Sequence, residues 1–272
     1  MSNDVDLQKK IFKSGSKTFF NSSLFFPAEV RKDVFRLYAF VRIADDYVDS
    51  IPQKVKEFND FVRIYRESFK VGHSEDKVIN DFIQLSFEKK FNPDWIEAFF
   101  KSMEMDIFKK KYSTLSETLD YIYGSAEVIG LFMARIMDLK EDSFYYARML
   151  GRAFQYINFV RDIDEDKKLG RRYLPIENFD ERIYDDPFAD KLAFEEFILL
   201  NVKRYEVWDD IARKGFGYIP VRYRIPIMAA ADMYRWTADK ISKDPFTVFK
   251  KKLKPSKFRI ISRVGFRVVL PK

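Results

Sequence analysis

The sequence predicts an all-α fold, and three observations carry that expectation. Apolar residues recur at three- and four-residue spacings over long stretches, and the interiors of those stretches lack proline. Nine glycines in 272 residues leave few sites for the tight turns of a many-stranded sheet. No repeat at solenoid periods and no low-complexity linker divides the chain, so residues 1–272 read as a single helical domain.

Taken in order, the spacing predicts helices over 27–51, 115–139, 143–166 and 194–214, with shorter helical patterns over 55–69 and 78–89. A further helix is expected over 226–242, with Pro226 in its first turn, where the missing N–H costs little. Loops are expected at 170–175, 184–187 and 243–245, where glycine, proline and aspartate gather.

Composition removes several kinds of chemistry. There is no cysteine, so disulfides, thiolate nucleophiles and cysteine-zinc sites are excluded. The single histidine, His73, sits in the polar run Gly72-His73-Ser74-Glu75-Asp76 and reads as a loop residue. Serine-histidine triads and multi-histidine metal sites therefore lack their parts. Acid, base and metal chemistry falls to carboxylates, tyrosines and basic side chains. No Gly-x-x-x-x-Gly-Lys-Ser/Thr loop and no Gly-x-Gly-x-x-Gly turn is present, so the common nucleotide cradles are missing.

The net charge of +7 is unevenly placed. Residues 250–272 hold nine Lys or Arg and no acid, so the remainder sums to about −2 by the same formal count. A nucleic-acid-binding domain would spread its cations along one groove, and none is expected here. The tail mixes cations with apolar residues, a pattern that suits contact with anionic lipid. No stretch approaches the ~20 apolar residues of a membrane span. The polar N-terminus lacks the apolar core of a secretion signal, so a cytoplasmic location, with peripheral membrane contact, is expected.

The informative pattern is acidic. Asp45 and Asp49 stand four apart in Arg42-Ile43-Ala44-Asp45-Asp46-Tyr47-Val48-Asp49, so both carboxylates leave one helical face about a turn apart. Like charges at that spacing repel, and aspartate is a poor helix former, yet the surrounding helix is apolar. The same spacing returns at Asp162 and Asp166, again with an arginine upstream, Arg161, and with Asn158 a turn earlier. A lone Asp-x-x-x-Asp is common on solvated helices. Two on apolar helices, each with its arginine, point to metal-bridged diphosphate binding. Hard oxygen ligands suit Mg²⁺, which keeps several waters and binds one or two carboxylates plus substrate phosphates. Arginine adds bidentate contact to phosphate oxygens.

At these residues the chain resembles the phytoene/squalene synthase family. One motif reads Arg42-x-x-Asp45-Asp46-x-x-Asp49. The other reads Gln155-x-x-Asn158-x-x-Arg161-Asp162-x-x-x-Asp166, followed by Gly170-Arg171-Arg172-Tyr173-Leu174-Pro175. Between them lies Tyr121-x-Tyr123-Gly124-Ser125-Ala126-Glu127-Val128-Ile129-Gly130, similar to the family's tyrosine-bearing helix. Ser16-Lys17-Thr18-Phe19 and Tyr38 also match. Glu127 stands where many members have glycine, and Phe246 near a place where tyrosine is common.

The resemblance implies an isoprenoid synthase helical bundle with a central cavity. It also implies head-to-head joining of two prenyl diphosphates through a cyclopropyl intermediate. Two geranylgeranyl diphosphates giving phytoene fit best; squalene or dehydrosqualene from farnesyl diphosphate is the near alternative, with NADPH needed for squalene alone. A non-catalytic scaffold would have no need of four clustered acids. Asp45, Asp49, Asn158, Asp162 and Asp166 are implied as ligands of Mg²⁺, or of Mn²⁺ in its place. Ser16, Lys17, Thr18, Tyr38, Arg42, Gln155, Arg161 and Arg172 are implied as diphosphate contacts. Tyr121 and Tyr173 are implied to assist proton transfer or hold the leaving diphosphate.

Overall fold

The computed structural model describes residues 2–15, 20, 23–24, 26–250 and 253, and among them there is no β-strand. The helices are α1 (Ser2–Gly15), α2 (Ala28–Asp49), α3 (Val55–Val71), α4 (Lys77–Glu88), α5 (Pro93–Phe108), α6 (Leu115–Ile122), α7 (Val128–Ile136), α8 (Phe144–Arg161), α9 (Ile163–Lys168), α10 (Arg182–Asp185), α11 (Lys191–Lys214) and α12 (Val221–Lys243). A π-helical turn, Tyr123–Glu127, joins α6 to α7. Of the described residues, no helix is long and apolar enough to cross a membrane.

Local chemistry explains several boundaries. The Asp76 side chain accepts from Ile79 N–H (3.0 Å) and starts α4. Asn92 caps α5, with Pro93 in the first turn where its missing N–H is no loss. Thr114 opens α6 with its hydroxyl accepting from Glu117 N–H, while the Glu117 carboxylate reaches back to Ser113 N–H.

The structure departs from the sequence expectations at five places. Helices α1 and α5 fall where none was expected. The expected helix over 143–166 breaks at Asp162, whose φ of −99° and ψ of 15° separate α8 from α9. Pro226 lies five residues into α12 instead of in its first turn. The expected loop at 184–187 begins inside α10.

Two apolar clusters make the core. One gathers α2, α3, α4, α5 and α7 around Phe40, whose ring stacks on Phe82 at 3.7 Å between centroids. The other gathers α8, α11 and the 173–184 segment around Tyr156, Phe194 and Phe197. Helix α8 crosses the π turn so closely that a Cβ on Gly151 would stand 2.3 Å from the Ala126 carbonyl oxygen. Only glycine fits that crossing.

Glu127 is locked into the same contact. It is fully buried and accepts from Arg148 (2.9 Å) and Arg152 (2.6 Å), both on α8. A buried carboxylate between two guanidiniums is stable only while both remain, so the glutamate and its arginines form one unit. Phe246 belongs to an aromatic cluster with Phe188, Phe194 and Phe249.

Candidate active site

Helices α2, α5, α8 and α9 bring their polar ends to one cavity of about 800 Å³. Its walls carry Asp45 and Asp49 from α2, Asp106 from α5, Asp162 between α8 and α9, and Glu165 and Asp166 from α9. Against those six carboxylates stand three guanidiniums, Arg42, Arg161 and Arg171. The excess of acid over base in an enclosed space calls for added cations.

Burial and mutual repulsion show in the proton affinities. Burial, then the neighbouring Asp49, pushes the Asp45 carboxyl up to about 7, with Arg42 opposing. Burial, then Asp162, raises Asp166 to about 8. Asp45 has an exposed side-chain fraction of 37%, but that opening is onto the cavity, so the enclosure still counts.

The arginines are already engaged. Arg42 pairs with Asp45 (2.8 Å) and Asp46 (2.5 Å). Arg161 grips both oxygens of Asp162, with Nε to Oδ1 at 2.8 Å. Arg171 donates to Asp49 Oδ1 (2.6 Å) and to the Val48 carbonyl (2.8 Å), tying the 169–173 segment to the end of α2.

Asp106 is the residue that sequence reasoning missed. It is 2% exposed, and its two oxygens accept from Tyr121 Oη (2.6 Å) and Tyr173 Oη (2.5 Å). Burial raises its carboxyl to about 6, against the lowering effect of those hydrogen bonds and of Arg171. Burial holds both phenols well above the ordinary tyrosine range, so they keep their protons. Tyr121, Phe159 and Tyr173 pack together, the last two stacked at 4.3 Å.

Arg172 is placed differently from the expectation. It lies outside the cavity lining, and its guanidinium faces Glu181 at 3.4 Å. In the extended segment 171–173 neighbouring side chains alternate sides, so Arg171 and Tyr173 face different partners from Arg172. Arg171 takes the place expected of its neighbour. Tyr38, Arg42, Gln155, Asn158 and Arg161 all line the cavity. Ser16, Lys17 and Thr18 lie outside the described residues, as does most of the basic tail at 250–272; Ser14 and Gly15, just before the former, line the cavity.

The residues present fit a divalent cation. The Asn158 carboxamide oxygen is buried with no hydrogen-bond partner although it lines the cavity. No three acidic side chains among the described residues close into a ready-made cage. Open carboxylate pairs suit a metal that retains waters and takes phosphate oxygens.

An apolar chamber of about 370 Å³ continues from the polar cavity, with Tyr38, Gln155, Asn158, Ala230 and Tyr234 lining both. On α8 and its N-cap the chamber wall is Ser143, Tyr146, Ala147, Leu150, Gly151, Phe154, Gln155 and Asn158, one face at alternating spacings of three and one. At 1.5 Å per residue, Ser143 and Asn158 are about 22 Å apart along the helix. Facing walls include Phe12, Phe26 and Phe216.

A helical bundle with two opposed carboxylate pairs above an apolar chamber defines an isoprenoid diphosphate-handling scaffold. The chain belongs to the squalene/phytoene synthase family, whose model matches residues 12–259. It is 30% identical to a 15-cis-phytoene synthase of Enterobacter agglomerans, over 81% of this chain and 80% of that one. It is 28% identical to the 15-cis-phytoene synthase of Paracoccus sp. (strain N81106 / MBIC 01143), over 97% of this chain and 91% of that one. In fold it resembles a dehydrosqualene synthase solved in complex with ligand, at TM-score 0.88 and 22% identity, covering 98% of this chain and 96% of that one. The squalene synthase HpnC from Alicyclobacillus acidocaldarius superposes at TM-score 0.82 and 19% identity, covering 90% and 95% of the two chains.

Proposed function

We propose that this chain is a metal-dependent prenyltransferase that condenses two geranylgeranyl diphosphates head to head to phytoene. The observation that carries the reading is the continuity of the carboxylate-lined cavity with a chamber running about 22 Å along α8. From ordinary bond lengths, an extended C20 prenyl chain spans about 20 Å and a C15 chain about 15 Å. The phytoene synthases among its relatives support the same choice.

Asp45 and Asp49, and Asp162 and Asp166 with Asn158, would hold magnesium, which supplies positive charge against the departing diphosphate. Arg42, Arg161 and Arg171 orient the phosphate oxygens and strengthen their grip as negative charge develops. C1 of one substrate loses its diphosphate and bonds to the double bond of the other; a proton leaves, giving a cyclopropyl diphosphate. That intermediate loses the second diphosphate, rearranges and gives up another proton. Tyr121 and Tyr173 donate their phenol protons to Asp106, and each can hold the leaving group by turning that O–H from Asp106 to a phosphate oxygen. The chamber excludes water, and the faces of Phe12, Phe154 and Phe216 suit a carbocation.

Purified protein with Mg²⁺ and geranylgeranyl diphosphate is expected to give a C40 product without NADPH. A C30 product from farnesyl diphosphate alone would move the activity to dehydrosqualene, or to squalene if NADPH is required. No product and no diphosphate release from either substrate would overturn the reading.

A second expectation concerns pH. In metal-free protein, Asp45, Asp106 and Asp166 bind protons more tightly than in the unfolded chain, where they titrate near 3.8. The folded state thus holds more protons than the unfolded one between about pH 4 and pH 8, and stability falls as pH rises through that window. Magnesium relieves the repulsion only once the carboxyls are ionised. It is expected to raise Tm by roughly 3–6 °C near pH 8 and by much less near pH 5. Equal shifts at the two pH values in a thermal melt would contradict the cluster's role.

A further inference from the structure

Helix α11 is apolar on two faces. Phe194, Phe197, Ile198, Val202 and Tyr205 are buried on the face that packs against α8 and α12. On the opposite side Leu192 (68% exposed), Leu199 (42%), Leu200 (39%) and Val207 (47%) stand in solvent. At 3.6 residues per turn these four fall within an arc of about 100°, the width of a stripe that ordinarily faces a core. A single exposed apolar residue needs no explanation. Four in one stripe on the longest of the described helices mark an interaction surface.

Two charged residues complete the stripe. Glu196 and Lys203 are exposed and lie inside the same arc. The series Leu192, Glu196, Leu199, Lys203, Val207 thus advances in steps of four and three, the spacing of a coiled-coil seam. Its arrangement is symmetric. Leu192 stands seven residues before Leu199, and Val207 seven after Leu200; Glu196 stands three before Leu199, and Lys203 three after Leu200. Consider the helix laid antiparallel on a copy of itself, with a two-fold axis between Leu199 and Leu200. Leu192 then meets Val207, Leu199 meets Leu200 and Glu196 meets Lys203, and every contact occurs twice. A parallel pairing would set Glu196 on Glu196 and Lys203 on Lys203, like charge against like.

We infer that the exposed face of α11 is where a second copy of this chain docks, antiparallel, with Glu196 and Lys203 fixing direction and register. Within one chain Lys203 reaches Glu206 of the same helix at 3.4 Å, an exposed pair worth little in water. None of the six stripe residues lines the polar cavity or the apolar chamber, so each copy keeps its own site. From Leu192 to Val207 the seam runs about 22 Å. One helix pair of that length buries less than a standard interface, and a dimer dissociating in the micromolar range is expected.

The test is sedimentation equilibrium of the full chain and its variants from about 1 to 100 μM. The intact chain is expected to pass from monomer to dimer across that range, and L199S/L200S to remain monomeric. E196K and K203E are each expected to weaken association by roughly tenfold or more, because each sets like charges together twice per dimer. E196K/K203E is expected to return it to within about threefold of the intact chain. Positions 196 and 203 are two turns and about 10 Å apart on one helix, so that recovery reports a contact between copies. The inference is overturned if the intact chain is monomeric throughout, or if L199S/L200S dimerises as the intact chain does. It is also overturned if E196K/K203E associates as weakly as either single variant.

Discussion

Asp166→Asn is expected to lower diphosphate release by roughly two to three orders of magnitude while raising the melting temperature of the metal-free protein near pH 8. The two effects have one cause. Asp166 stands among Asp162, Asp106 and Asp49, and burial with Asp162 drives its carboxyl up to about 8. Ionising it there is unfavourable to the fold, so a neutral residue of the same shape relieves on the order of 2 kcal/mol. The same charge is what a metal-diphosphate ligand needs, and asparagine supplies only a neutral oxygen. A structural role would move stability and activity down together. Near-normal release by the variant, or a fall in Tm, would show that Asp166 is not a functional carboxylate. Such sites store instability for the sake of function.

Ala147→Phe is expected to reverse substrate preference. Ala147 lines the apolar chamber on α8, eleven residues before Asn158, so its side chain meets the chamber about 16 Å from the carboxylate end. A C15 chain of about 15 Å ends short of that point, whereas a C20 chain runs past it. The phenyl ring is expected to lower kcat/KM for geranylgeranyl diphosphate by roughly a hundredfold, about 3 kcal/mol, with farnesyl diphosphate retained within a few-fold. Product mass is the readout, with a C30 product replacing C40. Equal losses with both substrates would mean that the ring has disturbed the α7–α8 contact, in which Ala147 O lies 2.2 Å from where a Gly130 Cβ would be.

The parts of this site legible in the sequence are those that helical spacing fixes. Asp45 and Asp49, like Asn158 and Asp162, are four apart, and a helix puts such residues on one side whatever surrounds it. Asp106 was hidden because nothing nearby repeats its pattern; its role depends on α5 crossing beneath Tyr121 and Tyr173. One signal was present. Phe99, Met103 and Asp106 fall on the buried stripe of α5, and an acid at a core position is rarely neutral in meaning. Arg171 and Arg172 could not be separated by pattern, because which of two adjacent residues in an extended segment faces inward is settled by tertiary contacts. The missed α5 had its own marker in Asn92-Pro93, a capping residue followed by a first-turn proline. Helix α1 carries no comparable start signal, and its apolar spacing is sparse.

The chamber wall on α8 has a consequence for how product length can change. Its lining residues return at every turn, about 5.4 Å apart, and one isoprene unit of an extended chain is about 5 Å long. Helix and substrate therefore share nearly the same graduation. Enlarging Ser143, Ala147, Leu150 or Phe154 would shorten the accepted chain by whole isoprene units instead of by fractions. Descendants of this scaffold could step between discrete product classes through single substitutions on one helix, without passing through forms that fit neither.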